Sequence, residues 1–160
     1  MTDRCVCCGA IIPEGRQICP ECWNRKPVSK KPRICKEEYY LGIAKAVAQR
    51  STCLRRQYGA VIVKNDRIIA TGYNGSARGD VNCCDVGKCW REAHNIPHGE
   101  QYEKCVAIHA EDNAISQAGL DAIGATLYLA GFENGNPIDA EPCIMCKRKI
   151  KNAKILKVIT

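Results

Sequence analysis

Two short segments constrain this chain more than any others: His109-Ala110-Glu111 and Pro142-Cys143-Ile144-Met145-Cys146. Together they offer one imidazole and two thiols, three zinc ligands with a fourth position left open. A closed structural zinc site takes four protein ligands, whereas a catalytic one keeps a place for water or substrate. Each segment opens a stretch of helical patterning, and Pro142 suits a first helical turn. The unpaired N–H groups and positive dipole end at a helix start favour thiolate and developing negative charge. A working site therefore needs a fold that brings both helix starts to one point. Glu111 stands two residues past His109, where a first-turn carboxylate reaches the open side of the metal without ligating it. From there it takes a proton from water acidified by the metal and hands it to a leaving group.

The remaining cysteines argue in the same direction. The 160 residues hold 13 cysteines, an odd number that fits a fully paired disulfide framework poorly. No apolar run approaches the ~18 residues of a membrane span. The opening MTDRCVCCGA lacks the apolar stretch of a secretory signal. The expected setting is a reducing cytoplasm, with no membrane partner. There cysteines serve as metal ligands or reactive thiols.

Cys5-Val-Cys-Cys8 and Cys19-Pro-Glu-Cys22 form two C-x-x-C pairs on either side of a loop with Pro13 and Gly15. Two such turns facing each other close a tetrahedral zinc site, with Cys7 as a substitute in the first pair. A redox C-x-x-C is the rival reading, but it expects one pair beside a βαβ unit. Residues 1–27 carry too few apolar side chains for a core, so metal has to supply their stability. They are expected to form a zinc-ribbon-like module. Residues 28–33, with their proline and basic residues, read as a linker, and a catalytic domain follows over 34–160.

The formal charge of +7 is unevenly placed. Arg25 to Lys36 and Lys147 to Lys157 each carry six basic residues and no acid. Such runs meet phosphates or nucleic acid, or are simply solvated faces. Aromatic residues are only 6%, which offers few stacking platforms for single strands, so a nucleic-acid partner is not favoured.

Periodicity supplies the fold class. Lys36 to Arg50 has a helical stripe at Tyr40, Ile43, Ala44 and Val47. GAVIVK (59–64) and RIIATG (67–72) read as strands joined by an Asn65-Asp66 hairpin turn. GYNGSARG (72–79) is a Gly-rich loop, and residues 80–102 are mostly irregular. Residues 109–118 predict a helix, 125–130 a strand, 143–152 a helix and 154–160 a final strand. After the hairpin, strands and helices alternate, which implies an α/β sheet with parallel strands in its second half.

H-x-E followed by P-C-x-x-C is the established signature of zinc nucleobase deaminases. The stretches RSTCLRRQYGAVIV, TGYNGSARG with NCC following, IPHGEQYEKC, HAEDNAI, GATLYLAG and EPCIMCKRKIKNAKI together resemble the cytidine/deoxycytidylate deaminase family. They are most similar to its phage and bacterial deoxycytidylate deaminases, which implies a bacterial cell or a phage-infected host, and they cover most of the domain from 37 to 159 in order. The resemblance implies a three-layer α/β/α mixed sheet and hydrolysis of dCMP to dUMP and ammonia, for dUMP and dTTP supply. His109, Cys143 and Cys146 would hold the catalytic zinc and Glu111 would shuttle protons. The Ala110 N–H would meet the pyrimidine carbonyl and Asn74 the sugar. Gly75, Ser76 and Arg78 would receive a 5′-phosphate. Some phage relatives carry a further structural zinc. Cys53 and Cys83 match two of its ligands, with Cys89 and Cys105 as replacements and Cys84, His94 or His98 as substitutes. Zinc is thus expected once in a catalytic role and once or twice in a structural one. Effector binding of dCTP and dTTP and a homo-oligomer are family traits.

Two departures stand out. Gly131 to Glu141 makes a longer connection than relatives use, and would reshape the pocket wall. The sequence ends at Thr160, after the fourth strand, so the sheet is expected to be one strand short with an edge that oligomerisation could cover. The alternatives are a deaminase of another nucleoside, base or nucleic acid, or a zinc-folded binding protein without turnover. An intact Glu111 argues against the last, since folding has no need of that carboxylate.

Overall fold

The computed structural model describes residues 2–25, 33–97 and 99–160. The chain divides into two compact units, Met1–Arg33 and Ile34–Thr160. The expected linker at 28–33 lies outside the described residues apart from Arg33, as do residues 26–27 of the module and the substitute ligand His98.

The first unit pairs two short strands, β1 (Thr2–Arg4) and β2 (Ile11–Pro13), and adds the helix α1 (Pro20–Asn24). Among its described residues the buried side chains are Cys5, Ile12 and Cys19. Two of those three are thiols, so burial alone provides little to hold the unit together.

The second unit is a sheet between helices. Its first helix, α2 (Lys36–Ala48), starts at Cys35, whose Sγ accepts the Glu38 N–H at 3.4 Å. Glu37 and Glu38 suit the positive end of the dipole. Tyr40, Ala44 and Ala48, four apart, line its buried face. The strands β3 (Arg56–Lys64) and β4 (Arg67–Tyr73) form the expected hairpin. Asn65 and Asp66 both have positive φ, 50° and 62°, as a tight turn matched to strand twist requires. The two-residue strands β5 (Gly75–Ser76) and β6 (Ala107–Ile108) pair with each other. Between them lie two single-turn helices, α3 (Cys83–Val86) and α4 (Trp90–Ala93), in an otherwise irregular stretch. The rest follows as α5 (Ala110–Ala118), β7 (Thr126–Glu133), β8 (Asn136–Ile138), α6 (Ile144–Asn152) and β9 (Lys157–Ile159).

The main sheet runs β4-β3-β7-β8, antiparallel throughout, and β9 adds to β7 in parallel. Successive residues of β3 face opposite layers. Ala60 and Ile62 pack with Leu127, Leu129, Ala110, Ala114 and Ile150 on the side of α5 and α6. Val61 and Val63 pack with Tyr128, Tyr40 and Ala44 on the side of α2. The result is a three-layer α/β/α arrangement with a mixed sheet. The layers are close: a Cβ on Gly59 would lie 2.2 Å from the Ala44 carbonyl oxygen, so only glycine lets α2 sit where it does. The long connection at 131–141 is largely a second hairpin, with Asn134 and Gly135 at positive φ between β7 and β8. Among the described residues no helix is long and apolar enough to cross a membrane.

Candidate metal centre and its cavity

His109 is the N-cap of α5 and Cys143 the N-cap of α6, both with extended backbone. Because α5 and α6 pack on the same face of the sheet, their starts meet. His109 Nδ1 lies 3.4 Å from Cys143 Sγ and 3.3 Å from Cys146 Sγ. Zinc ligands at ~2.0–2.3 Å in a tetrahedron stand about 3.5 Å from one another, so the spacing and donor chemistry fit zinc. Cys143 Sγ also accepts the Cys146 N–H at 3.5 Å, the turn that sets both thiols on one side. Burial, with Glu111 and Cys143 close by, pushes the Cys146 thiol well up. A thiolate there is unfavourable until a cation joins it.

Glu111 is 5% exposed, an unusual position for a carboxylate. Burial holds its carboxyl above the ordinary range, against the pull of its own backbone N–H and of His109. A carboxyl so placed is suited to exchanging protons rather than to holding a fixed charge. As first residue of α5, Ala110 has an N–H without an intrahelical partner. The Tyr102 ring meets the His109 ring edge-on, 5.0 Å between centroids at 87°.

These groups open into a cavity of about 480 Å³, the size of a small-ligand site. Its walls include Asn74, Ala110, Glu111, Tyr58 and Pro142. Buried Asn74 accepts the Tyr58 N–H through Oδ1 at 2.7 Å, with the Ser51 hydroxyl also at 2.7 Å, and donates from Nδ2 to the Arg56 carbonyl at 2.8 Å. One Nδ2 hydrogen is left for a ligand. Gly75 and Ser76 pair with Ile108 and Ala107, and Arg78 is exposed; none of the three lines the cavity. Arg55, Arg56, Arg91, Tyr102 and Lys147 do, and of these the sequence pointed only to Lys147, as the start of a basic run. Arg55 and Arg56 stand in the family-like stretch RSTCLRRQYGAVIV, the one signal that could have pointed to them.

In the first unit the sulfurs of Cys5, Cys8, Cys19 and Cys22 all lie within 4.8 Å of one another, and Cys7 is exposed and outside the set. The Cys19 N–H, 3.3 Å from Cys5 Sγ, draws the Cys5 thiol down to about 6. The neighbouring Cys8 and Cys19 thiols push Cys22 up to about 12. Four thiols this close cannot all ionise without a cation. Among the described residues these are the two sets that bring three or more donors so close. Cys53, Cys83, Cys89 and Cys105 are looser. They are near enough for Cys83 to be raised, by burial first and then by Cys53, Cys89 and Cys105, but they do not form such a set.

Half of the basic residues in the run Lys147 to Lys157 are paired with acids. Lys147 pairs with Glu141, Lys149 with Asp112, and Lys157 with Glu37 at 2.8 Å.

The family described as the cytidine and deoxycytidylate deaminase zinc-binding region matches residues 34–160. A deoxycytidylate deaminase of Mycobacterium phage D29 is 40% identical over 128 residues, 77% of this chain and 91% of that protein. One from Schizosaccharomyces pombe is 37% identical over 125 residues, 77% of this chain but 36% of that protein, so the chain spans about a third of the yeast relative. The crystal structure of the cyanophage S-TIM5 dCMP deaminase in complex with dCMP and dUMP superposes with a TM-score of 0.54 at 27% identity, over 79% of this chain and 82% of that one. With the family match running from residue 34 to 160 across the whole second unit, the chain belongs to the cytidine and deoxycytidylate deaminase zinc-binding family.

Proposed function

We propose that this chain is a zinc-dependent hydrolytic deaminase that converts dCMP and water to dUMP and ammonia. The observation that carries the reading is the buried Glu111 carboxyl beside three converging zinc donors in a nucleotide-sized cavity. Relatives named deoxycytidylate deaminase, and a similar structure holding dCMP and dUMP, support the choice of substrate.

His109 Nδ1 and the Cys143 and Cys146 thiolates would hold the catalytic zinc. Bound there, zinc supplies Lewis acidity that makes water nucleophilic near neutral pH. Glu111 accepts the proton of the attacking water and delivers it to the ring nitrogen next to C4, then carries a second proton to the departing amine. The C4–N bond breaks as the C4 carbonyl forms. The Ala110 N–H holds the pyrimidine carbonyl and the free Nδ2 hydrogen of Asn74 meets a sugar hydroxyl.

Cys5, Cys8, Cys19 and Cys22 would hold one structural zinc. Cys53, Cys83, Cys89 and Cys105 would hold a second, on the family resemblance. That resemblance alone assigns Gly75, Ser76 and Arg78 to the substrate phosphate, and extends the reading to dCTP and dTTP as effectors and to a homo-oligomer. A reducing cytoplasm suits cysteines that are all unpaired.

The test is a competition. Zinc-loaded protein is given dCMP, CMP, deoxycytidine, cytidine, guanine and a cytosine-containing oligonucleotide together, and mass spectrometry reads which gains about one mass unit, the change of amine to carbonyl. Preferential conversion of dCMP is expected. Conversion of another member would redirect the substrate, and no conversion with triphosphates added would overturn the reaction.

A further inference from the structure

We propose that Asn113 is a positioning residue for the substrate sugar. It ties the helix that carries His109 and Glu111 to the peptide that presents Asn74, and so sets the spacing at which one ligand meets both. The inference rests on reading the cavity as a pyrimidine-deoxynucleotide site in which Asn74 meets the sugar.

Asn113 stands two residues past Glu111, near the start of α5. Gly72 lets this part of the helix lie against β4: a Cβ on Gly72 would be 3.0 Å from the Asn113 Cβ. With no side chain between them, Asn113 Nδ2 reaches the end of β4 and donates to the Tyr73 carbonyl at 2.8 Å. That carbonyl belongs to the same peptide unit as the Asn74 N–H, which donates to the Tyr58 carbonyl at 3.2 Å. A planar peptide held at both its oxygen and its N–H has little freedom to swing, so Asn74 leaves it in one direction.

The other bonds of Asn74 all run to one side. Its Oδ1 accepts the Tyr58 N–H and the Ser51 hydroxyl, its Nδ2 donates to the Arg56 carbonyl, and its main-chain carbonyl accepts the Thr52 N–H at 3.3 Å. These partners lie on β3 or between α2 and β3. They hold the amide but leave its distance from the zinc donors unset. Among the described residues, the Asn113 bond is the one hydrogen bond that joins α5 to this network. A ligand held at its ring by the start of α5 and at its sugar by Asn74 makes both contacts only where their spacing matches its own. A misplacement of about 1 Å is enough to lose one of them. In a deoxynucleoside monophosphate the 3′-hydroxyl is the one free sugar hydroxyl, so it is the group that the free Asn74 Nδ2 hydrogen would meet.

The experiment is calorimetric titration of the full, zinc-loaded chain with dUMP and with 2′,3′-dideoxyuridine monophosphate, which differ by that hydroxyl and carry the same charge. It is run on wild type, Asn113→Ala, Asn113→Asp, Asn74→Ala and the Asn74→Ala, Asn113→Ala double variant, with zinc content reporting the folding of each. Asn113→Asp keeps the shape but has no hydrogen to donate, and the equal charge of the two ligands cancels its added carboxylate. It decides the test if the alanine variant does not fold. Wild type is expected to prefer dUMP. Asn113→Ala is expected to lose about 3- to 10-fold in dUMP affinity, the worth of one hydrogen bond, with the dideoxy ligand held within about twofold. Asn113→Asp should lose the same preference. On the Asn74→Ala background, Asn113→Ala should change neither ligand, because there is no amide left to position. An equal loss for both ligands, a further loss on that background, no loss at all, or a wild type without preference would overturn the proposal. Wild-type turnover of dCMP is read in parallel. A dUMP preference that depends on Asn113, without dCMP turnover, would sink the reaction and keep the positioning role. Turnover with the preference unchanged in both Asn113 variants would do the reverse.

Discussion

Gly72 of β4 runs so close to Ala110 at the start of α5 that a Cβ on it would lie 2.4 Å from the Ala110 carbonyl oxygen and 2.5 Å from the Ala114 nitrogen. Both obstacles are helix backbone, so a larger residue has to displace the helix itself. That helix carries His109 at its cap and Glu111 in its first turn. Gly72→Ala is therefore expected to cost about 1–3 kcal/mol in urea unfolding. It should also lower zinc occupancy and turnover together, because the helix start moves away from Cys143 and Cys146. Unchanged stability and zinc content would show that α5 does not rest on Gly72.

Glu111→Gln preserves shape and removes the proton carrier. Turnover should fall by about 10²- to 10⁴-fold, the usual worth of a positioned acid–base group. Zinc per chain should stay as in wild type, since the carboxylate is not one of the three donors. Retention of near-native turnover would remove Glu111 from the mechanism.

The Tyr40 hydroxyl donates to Asp66 Oδ1 at 2.8 Å and lies 3.1 Å from its main-chain carbonyl, tying α2 to the β3–β4 turn. Asp66, and next to it burial, raises the phenol from about 10 to about 12. The folded state thus keeps a proton that the unfolded chain releases. The stabilisation is full below pH 10 and is lost as pH rises through about 12. Tyr40→Phe should lose about 0.5–1.5 kcal/mol at neutral pH and show a flatter fall in stability across that alkaline window. Parallel alkaline curves for the two proteins would refute the link.

Removal of a ribbon thiol should act locally. Cys19 is buried, caps α1, and holds the Cys22 N–H on its sulfur at 3.4 Å. Cys19→Ser is expected to lower zinc content by one ion per chain and to open the first unit to trypsin at Arg16, because little besides the metal holds it. His109→Ala should lose a different zinc and leave Arg16 protected. Equal zinc content in Cys19→Ser and wild type would mean that the four-thiol cluster does not bind the metal.

Much of this molecule is legible in short windows of sequence. A C-x-x-C pair is one turn of chain, and His-x-Glu is half a helical turn, so local geometry already orients those donors before any fold is known. The stripe at Tyr40 and Ala44, and the Asn65-Asp66 turn, are likewise decided within a few residues. The β7–β8 hairpin carried a signal, Asn134-Gly135, but its second strand is three residues long and contains Pro137, too short to show alternation. Arg91 gave no signal at all. It sits in a single-turn helix within an aperiodic stretch, and its place is set by Tyr102, Pro97 and Glu100. By itself the sequence determined the zinc chemistry and the α/β order of elements, because both depend on neighbours along the chain. Which cations line the His109 cavity was decided only by the tertiary structure. Burial and charge pairing depend on residues as distant as Arg56 and Glu133, which meet across the sheet.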